Sequence, residues 1–509
     1  MLKKTFSFLL AVLLCLNLFS CGNDDNRTAA SKTSQPTEKT SSYDDQDIPV
    51  ISILLNNPGG DAATVMKLEK SIPRIEDAIN ALCIPDIGVK VSLSILKGEN
   101  PHLVLSDHVA NGDYDMYMYF SDTLVYFGKE GYILDLTELI ESYGEHLKES
   151  YEIPEILSAI NDAGPIYAVP IHEEYASYPA AIVNASVLER NGLDASSLDS
   201  FEGLDSLFRE LHPLEPGMYM TYIDQYIMVE PPITADILTY SLALTGKISE
   251  SADISYLFET PEYREWNHWV YDWSRKGYVH PSSTDRISIS QQFMMSEELF
   301  SFFVSAMTPS ILKYYEDTLG LKLIAIPLGE AVCTTDTVRG WACAVSSSCK
   351  TPEAAVKLLD YFMYSKEMNM ILNWGVEGTD YIINDDGLLD YPEDVGYYIW
   401  HYDRADYMPN QTLLTPWCTE EKDVYEKIAD FNRTATLSKL LGFTFDPAPV
   451  QDLIDTYDSI YIDYLQNVLS DHIPDPAADL DSLVQKLYNN GLQTILDEAN
   501  AQAEAFLAR

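Results

Sequence analysis

Three kinds of side chain in this sequence can do chemistry: carboxylates that follow apolar β-like runs, aromatic rings near the same ends, and hydroxyls beside them. Asp122 follows the run 115–120, and Glu173 and Glu174 follow a run that ends at Pro170. Tyr119 lies at the end of the first run, and Trp341 leads into another after Arg339 and Gly340. Thr308, with Met307, stands where Pro309 interrupts a pattern that reads as helical, and Trp417 lies in a polar loop with Thr415, Pro416 and Thr419. Carboxylates accept hydroxyl protons, and aromatic faces pack against the C–H faces of sugar rings. The set therefore suits a polyhydroxylated solute held without covalent chemistry. Each residue also has a purely structural reading: Asp122 as a helix cap, Tyr119 as core, the glutamates as a solvated pair. Most of the 34 tyrosines and 7 tryptophans must be core or surface filler.

Covalent and metal chemistry lack their signatures. There is no G-x-S-x-G elbow, H-E-x-x-H helix, P-loop or G-x-G-x-x-G. His172 precedes two glutamates but lacks the second histidine that zinc would need, and Cys343 and Cys349 have neither zinc-ribbon spacing nor a nearby histidine. The run from Asn384 to Gly387 lacks the alternating acids and terminal glutamate of a calcium loop, so it reads as a turn between short strands at 381–383 and 388–391. We expect no metal, no cofactor and no enzyme.

Composition narrows the partners. The 509 residues are 46% hydrophobic and 22% charged, a globular balance, and too many for one simple core. The formal net charge of −47 repels nucleic acid and anionic lipid. At the amino end, Lys3 and Lys4 precede an apolar run from Phe6 to Phe19, too short to span a bilayer and therefore a signal-peptide core. Leu18, Phe19, Ser20 and Cys21 resemble a lipobox, which implies cleavage after Ser20 and a lipid on Cys21. Residues 21–47 then read as a disordered tether, with a root-mean-square reach on the order of 28 Å. The cysteines beyond Cys21 are five, not a disulfide framework.

The elements that must position the candidates follow from periodicity. Strands are predicted at 50–55, 89–95, 115–120, 166–170, 178–184 and 321–327. Helices are predicted from about 65 to 82, kinked or restarted at Pro73, from Asp122, from Asp135, and from Thr351-Pro352-Glu353 to about Tyr364 with a capping threonine and Pro at the first turn. Another runs from 365 to Gly375, and Gly192 caps a short one. The stretch 198–275 reads as mainly helical. Helices are expected at 450–469, 480–490 and 492–507. The strand–helix alternation indicates an α/β lobe with a largely parallel sheet.

On these elements the chain resembles the family 1 extracellular solute-binding proteins of ABC importers. The resemblance rests on Asp115-Met-Tyr-Met-Tyr119-Phe-Ser-Asp122, Gly131-Tyr-Ile-Leu-Asp135-Leu and Ile166-Tyr-Ala-Val-Pro170-Ile, and further on Ala342-Cys-Ala-Val-Ser346-Ser-Ser-Cys-Lys350-Thr-Pro352-Glu-Ala-Ala and Asn373-Trp-Gly-Val-Glu377-Gly. The tail, Leu441-Gly-Phe-Thr-Phe-Asp446 through Gly491 to Gln502, is similar to the uncharacterised C-terminal domain of the LipO-like lipoprotein branch. The resemblance implies an α/β, two-lobe, type II periplasmic-binding-protein-like fold with hinge crossovers and a helical C-terminal region. Lobe 1 would comprise 48–170 and 327–375, and lobe 2 171–326 and 376–509, with the C-terminal domain at about 375–509. Crossovers are expected near 170–174, 325–327 and 375–378. Glu377 and Tyr381 then have hinge or ligand duty, and Trp374 either faces ligand or pins the lobes. The implied function is a monomeric, membrane-anchored receptor that delivers a carbohydrate, an oligosaccharide by preference, to permease subunits. A peptide or other polar solute is the alternative within the fold. Outside it stand a surface glycoside hydrolase, which needs two carboxylates about 5 to 9.5 Å apart, and an adhesin or sensor. Cys21→Ala is expected to leave the chain unprocessed at Ser20 or shed into the medium. Normal processing together with detergent-phase partitioning of that variant would count against the lipobox.

Overall fold

The computed structural model describes residues 48–56, 62–98, 100–223, 227–228, 230–248, 253–281, 287–393, 400, 409–468 and 475–509. Cys21, the signal segment and the tether lie outside them. Two separate sheets dominate. The first has the order Lys90–Ile95, Val50–Leu55, Met116–Phe120, Trp341–Val345, Ala168–Pro170. The first three strands are parallel, as expected. Trp341–Val345 is antiparallel to both neighbours because it enters from the opposite end, after the chain has built the second sheet. The sheet is therefore mixed. Its register pairs Trp341 with Phe120 and Ala342 with Pro170, so Phe120, Pro170 and Trp341 share one edge. Ile51, Ile53, Val91, Met116, Tyr117 and Ala342 to Val345 lie in its core.

The helix expected from about 65 to 82 does not restart at Pro73. Ala62–Ile87 is a single helix with Pro73 and Pro85 inside it. Ile75, Ile79 and Cys83 are fully buried against the sheet. That packing outweighs the lost hydrogen bond at proline. The helix Pro352–Tyr364 starts where expected, with Pro at its first turn, although Thr351 makes no side-chain cap.

The second sheet has the order Leu323–Pro327, Tyr178–Asn184, Leu299–Met307, Tyr219–Tyr222. Helices Phe201–Leu211 and Pro261–Lys276 cover it, and Trp266, Trp273, Phe208 and Phe303 interlock beneath them. The Trp273 indole donates to Asp205 at 3.2 Å, which satisfies its buried N–H. The middle of the chain is less helical than its pattern suggests. Tyr219–Tyr222 is a strand, and Asp236–Thr239, Leu244–Gly246 and Ile254–Tyr256 form a small antiparallel sheet. Leu299–Met307 is likewise a strand, not a helix. Such short apolar runs carry no decisive period. The C-terminal helices Gln451–Val468, Asp481–Tyr488 and Leu492–Leu507 share the second core through Tyr457, Leu487, Leu496 and Ala499. Among the described residues, no helix is long and apolar enough to cross a membrane.

The chain passes between the sheets at 171–177 and again at 328–340. Residues 325–327 lie inside a strand, so the second passage falls later than expected. The passages are laced together: Ser177 pairs with Val332, and Val332–Cys333 pairs in parallel with Thr436–Leu437. Near residue 375 the buried carboxylate of Asp380 organises the turn. It is ion-paired with Arg74 and accepts from the backbone N–H of Val376 at 2.8 Å and of Trp400 at 2.7 Å. Gly375, at φ 85°, leaves room for it: a Cβ there would lie 2.4 Å from Asp380 Oδ2. Gly375→Ala combines left-handed strain with that clash. It is expected to destabilise the fold by about 3 kcal/mol in urea unfolding, and a loss below about 1 kcal/mol would show that the turn adjusts freely.

Candidate functional site

The site begins at the shared edge of the first sheet. Phe120 and Trp341, cross-strand neighbours, stack with centroids 4.1 Å apart at 23°. Tyr119 meets Trp341 edge-on at 6.0 Å and is itself buried. Burial raises its hydroxyl, and the charge of Asp122 adds to the effect. Trp341 and Phe120 are only half-buried, so this aromatic pair forms part of the edge's surface. The next turn holds the acids. The Ser121 N–H donates to Gly340 O at 3.0 Å, and Asp122 follows, exposed, in the first turn of helix Ser121–Lys129. Its Oδ1 accepts from the adjacent Thr123 N–H at 2.7 Å, and among the described residues no side chain caps that helix. Glu173 lies against Gly340 so closely that a Cβ there would stand 2.1 Å from Oε1. Tyr119, Asp122, Glu173 and Trp341 are thus brought together.

A second acid faces this edge from the passage between the sheets. Thr334 and Thr337 close a capping box around the short helix Thr335–Val338. Asp336 projects from that helix and accepts from the Tyr240 hydroxyl at 2.8 Å. Tyr240 belongs to the loop between the strands ending at Thr239 and starting at Leu244. Desolvation raises the Asp336 carboxyl, the Tyr240 hydroxyl and Arg339 oppose it, and Asp122 raises it further. Desolvation likewise pushes the Tyr240 hydroxyl well up, with Asp336 and Glu230 adding to it. Both side chains nevertheless keep solvent contact, Tyr240 at 40%. Both are thus crowded by surrounding protein and still reach solvent.

The other candidates lie elsewhere. Glu174 accepts from Thr308 Oγ1 at 2.7 Å and from the Ser310 N–H at 3.0 Å. It therefore caps helix Pro309–Leu319 from outside, where Thr308 supplies no cap of its own. Met307 is fully buried. Trp374, Tyr381 and Trp417 share a small separate core, with Trp374 edge-on to Trp417 at 5.4 Å. Glu377 is exposed on the turn beside it. His172 is buried in the first passage, bonded to Glu152 and to Asn410 Oδ1 at 3.0 Å. Sequence reasoning missed Phe120, Asp336 and Tyr240. Phe120 ends the same run as Tyr119 and was findable. Asp336 and Tyr240 meet across 96 residues and carried no local signal.

Comparison with known proteins fits this geometry. An N-glycan transport solute-binding protein, NgtS, from Streptococcus pneumoniae superposes with a TM-score of 0.76 at 18% identity, covering 91% of this chain and 99% of that one. Its complexes with Man1GlcNAc and Man5GlcNAc score 0.66 and 0.62 at similar coverage. This chain has the type II periplasmic solute-binding fold. A carbohydrate ABC transporter substrate-binding protein of Streptococcus pneumoniae serotype 4 is 23% identical over 389 residues, 74% of this chain and 72% of that protein. Residues 439–508 match the family described as a domain of unknown function, DUF3502. The resemblance read from the opening strands and the tail is thereby borne out.

Behind Tyr240, Asp236 is fully buried. Its Oδ2 accepts from Ser438 Oγ, while Oδ1 has no hydrogen-bond partner among the described residues. Burial raises its carboxyl to about 6 against the ordinary 3.8. Folding therefore favours the protonated acid: the stability it lends is complete below about pH 4 and lost as pH rises through 6. Asp236→Asn, neutral at every pH, is expected to stabilise the chain by about 2 kcal/mol at pH 8 and by almost nothing at pH 4. Melting at the two pH values checks this, and an equal shift at both would place the effect elsewhere.

Proposed function

We propose that this chain is the extracytoplasmic substrate-binding lipoprotein of an ABC importer. It takes up an oligosaccharide by lobe closure and hands it to the permease transmembrane subunits, as a monomer anchored through Cys21. The observation that carries the reading is the Phe120–Trp341 stack beside the wet carboxylates Asp122 and Asp336. An apolar face with hydroxyl acceptors at its rim is what a sugar ring needs. Lobe 1 is read as the first sheet with its helices and lobe 2 as the second sheet with the C-terminal helices, the passages 171–177 and 328–340 serving as hinges. The carbohydrate transport for which the pneumococcal relative is named and the glycans bound by NgtS favour a carbohydrate over a peptide. Lower superposition scores for the two glycan complexes at equal coverage are the pattern a change in lobe angle would give. A hydrolase reading finds Glu174 already committed to the Pro309 helix.

The test is titration calorimetry of the body from Ile48 onward, with an oligomannose bearing one N-acetylglucosamine as first probe, then a wider glycan screen. Trp341→Ala is expected to weaken binding by about 2 kcal/mol while circular dichroism stays native. Unchanged affinity in the folded variant would remove Trp341 from the site, and failure of every glycan to bind would remove the carbohydrate reading. Saturating ligand should also compact the body in small-angle scattering, and no compaction would count against closure.

A further inference from the structure

The start of the C-terminal domain does something that packing within one lobe does not require: it reaches across to the first sheet's side of the molecule. Leu440 is fully buried in the second core and packs so tightly on Gly246 that a Cβ there would lie 2.7 Å from Leu440 Cδ1. Phe443 and Phe445 join the same core. Thr335, on the second passage, fixes the intervening turn by donating from Oγ1 to Leu440 O at 2.9 Å and accepting from the Gly442 N–H at 2.8 Å. Leu440, Phe443 and Phe445 thus tie the segment 440–445 to the second core, and Thr335 ties it to the passage. Its other side meets the first. Gly442, at φ 88°, passes so close to Ala159 that a Cβ would lie 2.9 Å from Ala159 Cα. Thr444 Oγ1 donates to Asp162 Oδ1 at 2.5 Å.

Asp162 is built to receive it. Ala159 and Ile160 belong to the first core, and Asn161 is tied to the strand Ala168–Pro170 by bonds with both Ala168 backbone groups. Asp162 and Ala163 then take left-handed backbone conformations, φ 52° and 50°. Two consecutive non-glycine residues there store strain, of the kind that persists only where neighbours over-determine it. The turn presents one carboxylate to three partners: Lys129 at 2.5 Å from the first core's side, Arg339 at 2.9 Å from the passage, and Thr444. Burial pushes the carboxyl up, but the hydrogen bonds from Lys129 and Thr444 and the two cationic charges outweigh it, so the acid stays ionised.

We propose that the C-terminal domain is a stop on the lobe angle, and that Asp162 is the residue it stops against. The inference rests on the two-lobe binding reading above. Asp122, Asp336 and Tyr240 keep solvent contact in this arrangement, and the proposal takes it as the open one. A contact made only in the open arrangement holds the population there, and ligand has to work against it. Asp162 is a positioning residue: removing the stop raises the closed fraction and tightens apparent affinity without any new ligand contact.

The test uses spin labels at Lys70→Cys and Glu210→Cys, both exposed and on opposite lobes, in a Cys418→Ser background. Inter-lobe distances are measured by double electron–electron resonance without ligand. Thr444→Val and Asp162→Asn are expected to shift the distribution to shorter distances, and Thr444→Ser to restore it. With the oligomannose probe, or the glycan that screening identifies, the first two variants should bind about three- to tenfold more tightly. Unchanged ligand-free distances in folded variants would overturn the proposal, since the contact would then be a pivot and not a stop. Weaker binding would also overturn it, because Asp162 would then belong to the ligand site. Distances that shift while no glycan binds would uphold the stop and refute the carbohydrate reading.

Discussion

The antiparallel insertion of Trp341–Val345 between Met116–Phe120 and Ala168–Pro170 is the constraint on which the rest of the molecule depends. Without it the third parallel strand and the short strand before the first passage have no common neighbour. Ala342, Cys343, Ala344 and Val345 are wholly buried, so the strand cannot slip by one residue without turning its side chains over. Because it arrives only after the second sheet is complete, it forces the chain to cross between the two bodies twice. The register that puts Trp341 opposite Phe120 also puts Gly340 under Glu173 and holds Asp336 and Arg339 in the passage just upstream. One strand pairing thus sets the aromatic face, the neighbouring acids and the hinge together.

Charge is handled differently on the two sides of this strand. Asp380, buried, is paired with Arg74 and several backbone donors, which offsets the desolvation that a lone carboxylate would suffer. Burial dominates at Asp236 and Asp336, Arg339 offsets it only in part, and both carboxyls hold their protons more tightly. The distinction is spatial. The compensated acid anchors a turn far from the cleft, whereas the uncompensated ones line or back it. Unsatisfied carboxylate capacity next to a wet aromatic pair is a poor way to stabilise a fold and a good way to receive hydroxyl donors.

How much of this was legible follows from the range of each interaction. The strand Tyr178–Asn184 and the helix Leu492–Leu507 were readable to the residue, because an apolar run in one case and a sustained 3.6 period in the other act locally. The hairpin around Tyr240 was not: its strands are three or four residues long and depend on distant packing. The grouping of Tyr119, Asp122, Glu173 and Trp341 at one end of the first sheet was readable because strand ends are visible in sequence. Trp374, Tyr381 and Trp417 were drawn into the candidate set by the same argument about aromatic rings in polar surroundings, yet they pack on one another. Sequence shows what surrounds a ring along the chain; only the fold shows what surrounds it in space.

That limit explains why a domain with no recognised site residue bears on the site. The small sheet carrying Tyr240 has no core of its own, and strands so short are not independently stable. Its backing comes from the C-terminal region. Tyr457 donates to Leu242 O at 2.9 Å, Asn500 bonds both the N–H and the carbonyl of Ile254, Ser438 reaches Asp236, and Leu440 fills the space beside Gly246. Each of these contacts holds a strand or loop of that sheet, and together they fix the height at which the Tyr240 hydroxyl meets Asp336. The hairpin that carries Tyr240 is therefore built from residues 236–246 but positioned by residues 438–500. Changes in the C-terminal helices should reach the second passage through Tyr240, whose hydroxyl bonds to Asp336 there.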